Sequence, residues 1–160
     1  MRSTGAALLV AAFLGLLAGC GGTSAPAGSA QGDRQWVANA GGVIDELERD
    51  VLLAGNGGGT YAAAAAALRN ESNLYTVLVA YSDFGGCDHM LSAAGTPTAR
   101  YAKVERAIAA SCVLLQRAAA LFTQAASTHD AHALLAATRT TLEASPLLVR
   151  AKAELDRAKR

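Results

Sequence analysis

The chain is 160 residues long, with fourteen basic against thirteen acidic residues, 52% hydrophobic and 17% charged. That length suits one domain with a core of its own, and the near-neutral balance removes any electrostatic case for nucleic acid as a partner. Proline is scarce, alanine is abundant, and no stretch alternates with period two for long, so the body of the chain reads as all-α.

The first element is a targeting segment. Arg2 precedes an uncharged apolar run from Ala6 to Ala18, bounded by small residues and too short to span a bilayer comfortably. A basic residue, an apolar run and a small-residue cleavage region form the layout of a secretory signal. The run ends in Leu17-Ala18-Gly19-Cys20, and these twenty residues resemble the precursor of a bacterial lipoprotein, whose signal closes on such a lipobox. The resemblance implies that residues 1–19 are removed and that the Cys20 thiol is diacylated, with room for a further acyl chain on the new N-terminus. Two or more chains such as palmitate anchor stably where one is marginal. The expected location is therefore the extracytoplasmic side of the cell membrane.

Residues 20–32 follow as a tract of glycine, serine, alanine and other small residues. Such a tract is expected to be a flexible tether, reaching roughly 5–6 Å times the square root of its length. The domain proper is then 33–160, and without Arg2 its charges balance. They are unevenly placed, with seven acids and three bases from Asp33 to Asp83, and six acids and ten bases from Asp88 to Arg160. Two halves that attract each other account for this, and so does a basic face that meets anionic lipid or another envelope polymer. After Ala18 no uninterrupted apolar run approaches the roughly twenty residues of a membrane span.

Four amphipathic segments can be drawn. The first starts near Asp33 as a cap and aligns Trp36, Ala40, Val43, Leu47, Val51 and Ala54. Gly41-Gly42 inside it either marks the true start or allows a close helix crossing. Gly55 to Gly59 stops it, and Thr60 caps the second, which stacks Tyr61, Ala64, Leu68, Tyr75, Leu78 and Ser82. Asp83-Phe84-Gly85-Gly86 breaks that segment; its kinase-like letters lack every accompanying kinase motif. Thr96-Pro97 reads as a cap and first-turn proline for the third segment, whose seam is Val104, Ile108, Cys112, Leu115, Ala119 and Phe122. The fourth begins at Thr128 to Asp130 and buries Ala131, Leu134, Leu135, Thr138 and Leu142, with Ser145-Pro146 kinking it or opening a fresh helix. The expected architecture is a four-helix antiparallel bundle.

With Cys20 lipidated, Cys87 and Cys112 remain as an even pair in an exported protein. That suggests a disulfide closing a loop of about 25 residues and contributing roughly 3–4 kcal/mol. Two free thiols or a metal or redox role are the alternatives. Cys87, His89, Cys112, His129 and His132 are weak metal candidates, because thiolate and imidazole bind zinc but no converging set of three or four ligands is evident. No metal and no cofactor are expected.

Glu71 falls on the apolar stripe between Leu68 and Tyr75, where a carboxylate must reach solvent, pair, or raise its pKa. Glu71 and Tyr75, with Tyr61, Tyr81 and Tyr101, are the candidate lining of a ligand pocket; a packed stripe with an edge carboxylate is the plainer account. Asp45, Glu46, Glu48 and Asp50 surround one helical turn and read as a solvated face. There is no nucleophile elbow, phosphate loop or HExxH motif. The expectation is a lipid-anchored, non-catalytic helical domain of the bacterial envelope, held to the membrane by its anchor and binding a protein or another envelope component. A small-molecule- or metal-binding envelope lipoprotein is the alternative.

Overall fold

Apolar residues spaced three and four apart along alanine-rich sequence can be covered only if the helices lie side by side. The computed structural model describes residues 30–55, 59–69 and 83–160, and in these the chain does so. Helix α1 spans Ala30–Gly55 and buries the whole expected stripe from Trp36 to Ala54, with Ile44 and Asp50 added. Asp33 stands in its first turn rather than at its cap. Gly41 and Gly42 do not interrupt it: a Cβ on Gly41 would sit 3.8 Å from Leu155, an ordinary contact, so no unusually close crossing depends on that glycine.

Helix α2 (Tyr61–Leu68) begins as expected at Thr60, whose hydroxyl accepts from the Ala63 amide at 3.2 Å. Residues 83–85 are helical, and α3 (Cys87–Ala93) follows. A 3-10 turn, Ala99–Tyr101, then leads into α4 (Ala102–Thr128). Thr96-Pro97 therefore does not open the helix. The Trp36 indole donates to the Gly95 carbonyl at 3.1 Å and its ring lies 5.3 Å from that of Tyr101, which holds the connection against α1.

Helix α4 ends at His129, which adopts the left-handed conformation at φ 55° and ψ 33°. Asp130 caps α5 (Ala131–Lys159) by accepting from the His132 amide at 2.8 Å. Helix α5 runs on through Pro146, neither stopping nor restarting there. The hydrogen bond lost at Pro146 would have been accepted by Leu142, and both residues are exposed, so water can serve that carbonyl. Leu142 is 47% exposed rather than buried; it lies over Gly55 at the end of α1, beside the seam instead of in it.

Helices α4 and α5 form the most extensive interface, and α1 packs on α5. Ala118, Ala125, Ala137, Ala144 and Ala151 are buried in α4 and α5, where small side chains let helix backbones approach closely. The buried hydroxyls of Ser111, Thr138 and Thr141 donate to carbonyls one turn back, at 2.6, 3.1 and 3.0 Å, so none is left orphaned. Length and mean hydropathy alone would let Ala99–Thr128 cross a bilayer. Its stripe of Val104, Ile108, Cys112, Leu115 and Phe122 is instead the core of the fold.

The described residues thus make an all-α fold of five α-helices, the helical residues 83–85 and one 3-10 turn, with no strand among them. Opposed contacts define its ends. Trp36, Tyr101 and the Gly41–Leu155 contact place the start of α1, the start of α4 and the last turns of α5 at one end. Gly55 against Leu142, and Tyr61 against His132 at 4.6 Å, mark the other.

Candidate functional site

Cys87 and Cys112 are joined as a disulfide, with Cα atoms 5.3 Å apart and both residues fully buried. The bond ties α3 to the middle of α4. Beside it Gln116 donates to the Asp88 carboxylate at 2.6 Å, and Phe84 just upstream is fully buried in the core. Bridged cysteines offer no thiolate to a metal.

The histidines do not meet. His89 is exposed on α3 beside the disulfide, while His129 and His132 are exposed at the far end of α4 and the start of α5. Seventeen positions of helix separate Cys112 from His129, about 25 Å at 1.5 Å per residue. His132 stacks on Tyr61, and His129 forms the helix cap. No group of three metal-ligating side chains occurs among the described residues.

The tyrosines are parted in the same way. Tyr61 is 51% exposed at one end of the fold, whereas Tyr101 is buried against Trp36 at the other, so these two do not line a common pocket. Glu71, Tyr75 and Tyr81 lie outside the described residues, as does Cys20 with the lipobox.

One carboxylate departs from the expected solvated face. Asp50 is 4% exposed, while Asp45 and Arg49 beside it reach solvent. Burial pushes its carboxyl above the ordinary aspartate range, the negative Asp83 pushes it further, and Arg49, 3.5 Å away, pulls part of the way back. As a carboxylate its Oδ2 finds no donor; as an acid it can donate to the neighbouring Asp83 carboxylate. The sequence carried a signal for this, since Asp50 stands three residues after Leu47 and seven after Val43, on the buried stripe.

On the face of α5 toward α1, the Lys152 ammonium reaches Asp45 at 2.7 Å and Glu48 at 3.1 Å, and those carboxylates hold its pKa above the usual lysine value. This is an exposed strut between helices. Alongside α4 the charges are not matched in this way. Lys103, Arg106, Ala107 and Ala110 of α4 face Leu147, Arg150 and Glu154 of α5 across a cleft of about 330 Å³. Three cations converge there over an alanine and leucine floor. The single acid, Glu154, is already bound to Arg157 at 2.8 Å. This cleft is the strongest candidate surface among the described residues; the sequence points to a basic face in the C-terminal half but not to the residues that form it.

The chain matches no protein-family model, no curated protein and no solved structure, so its own sequence and geometry have to carry the functional reading.

Proposed function

We propose that the protein is a lipid-anchored, non-catalytic helical domain of the bacterial cell envelope, which binds a protein or another envelope component on the extracytoplasmic side of the membrane. The observation that carries this reading is Leu17-Ala18-Gly19-Cys20 at the end of an apolar leader, with the thiol where lipoprotein processing requires it. The disulfide between Cys87 and Cys112 supports export, since such bonds persist in oxidising compartments. The four-helix antiparallel bundle belongs to the same proposal. Its support is the antiparallel packing of α5 against α1 and α4, together with the helix begun at Thr60 in the second expected segment. The non-catalytic part rests on the sequence, which offers no nucleophile paired with a base.

The test is Cys20→Ser in cells fed an alkyne-bearing palmitate analogue. The parent is expected to incorporate label and partition with membranes. The variant is expected to lose the label and either leave the membrane or accumulate as the uncleaved precursor. Membrane partition unchanged by the substitution would refute the anchor.

A further inference from the structure

We propose that the cleft between α4 and α5 is a docking surface for the anionic phospholipid headgroups of the membrane that carries the domain; this rests on the lipid-anchor reading above. Three observations lead to it.

The first is charge. Lys103, Arg106 and Arg150 line one cleft, and none of them has an ion pair among the described residues. Lys152, Arg157 and Lys159 on the same helix α5 each find a carboxylate. The one acid that lines the cleft, Glu154, is held by Arg157, so the three cations repel one another and an anion placed between them removes the repulsion. Arginine adds shape to charge: its planar fork matches two oxygens of a phosphate, and Arg106 and Arg150 approach from opposite walls.

The second is the floor. Ala107, Ala110 and Leu147 are apolar, and Val113, one turn beyond Ala110 on that face of α4, is 65% exposed. A rim of cations over an apolar floor suits a ligand with a phosphate at one end and hydrocarbon at the other, which a phospholipid presents at the bilayer surface.

The third is position. The cleft is lined by the first turns of α4 and the last turns of α5, the end of the fold at which α1 begins. Nine residues, hence ten chain steps, separate Cys20 from Ala30. Even fully extended they reach at most about 36 Å, so the anchor holds this end, rather than the His132 end, close to the headgroups.

The test uses the mature chain from residue 20 carrying Cys20→Ser, so that no acyl chain contributes. Its binding is read by co-sedimentation with vesicles of phosphatidylglycerol and phosphatidylcholine in equal parts, and with vesicles of phosphatidylcholine alone. Binding to the anionic vesicles is expected, weakening as salt is raised, with none to the neutral ones. Arg106→Gln and Arg150→Gln should each lower the partition about fivefold. Arg106→Glu with Arg150→Glu should abolish it, with far-UV circular dichroism unchanged. Arg139→Glu, on the exposed surface of the opposite half of α5, controls for net charge and should cost less than twofold.

Failure of the parent to bind anionic vesicles would overturn the proposal. So would a loss at Arg139→Glu equal to that at the cleft, or full displacement by millimolar inorganic phosphate, which would show a site for free phosphate instead. Failure of the anchor is separate, because it appears as absent palmitate labelling in cells whatever the unlipidated chain does with vesicles.

Discussion

Reduction of the disulfide isolates one energetic contribution more cleanly than any substitution. Cys87 and Cys112 are both fully buried, so cutting the bond leaves two packed thiols and removes chiefly the cross-link. The bridge spans a sequence separation of 25, for which chain-entropy reasoning gives about 3.5 kcal/mol. For a domain of this length, one kilocalorie corresponds to about 4 °C in melting midpoint, so reduction should lower the midpoint by about 14 °C. Phe84 and the hydrogen bond between Gln116 and Asp88 still hold α3 in place, so far-UV circular dichroism before melting should not change. Cys112→Ala removes the sulfur as well and should cost a further ~1 kcal/mol from lost packing. The assay is thermal unfolding of oxidised, reduced and Cys112→Ala protein side by side. A reduced protein that melts within about 2 °C of the oxidised one would refute the reasoning, given its dependence on loop length. Alkylation of both thiols in unreduced, denatured protein would refute the bond itself.

Asp50 makes stability depend on pH with a definite sign. Its folded pKa is raised above 3.8, so its contribution is fully present below that value and is lost as pH climbs through the raised one. Asp50→Asn should therefore be more stable than the parent at neutral pH, by about 1.4 kcal/mol for each unit of the elevation, with the gap closing toward pH 4. Urea unfolding of both proteins from pH 4 to 8 measures it, and parallel curves would show that Asp50 does not titrate as a buried group. His129 occupies a left-handed conformation that costs a residue with a Cβ, so His129→Gly should stabilise by about 1 kcal/mol and His129→Val should destabilise. If both substitutions weaken the fold equally, the imidazole contributes something beyond the backbone turn.

Much of the fold is legible in the sequence because helical periodicity and capping act locally. The stripe from Trp36 to Ala54, the seam from Val104 to Phe122 apart from Ala119, which is half-buried while Ala118 takes the core position, the Thr60 cap and the pairing of Cys87 with Cys112 follow from spacing or from cysteine count. The misreadings cluster where a distant contact outweighs a local preference. Thr96-Pro97 has good helix-opening chemistry, yet Thr98 is still extended and the helical turn begins only at Ala99, where Tyr101 meets the ring of Trp36, about sixty positions away. Leu142 matches the period of α5 but meets the end of α1 over Gly55, a residue without a side chain to fill that space. Asp50 shares its charge with Asp45, Glu46 and Glu48, which suggests a solvated face, but its phase on α1 is that of the core and phase decides.

The cleft shows why an excess of charge is not yet a site. Ten bases against six acids in the C-terminal half can be counted in the sequence, but counting treats Lys152 and Arg150 alike. They differ by two positions, which turns them to different sides of α5. Lys152 meets Asp45 and Glu48 of α1 and is neutralised, whereas Arg150 meets Lys103 and Arg106 of α4 and is not. Which cation finds an acid depends on how α4 and α1 are set against α5, and that placement comes from close packing of small residues such as Ala118, Ala137, Ala144 and Ala151. Alanine carries no charge and binds nothing, yet it decides which arginines remain available to an anion.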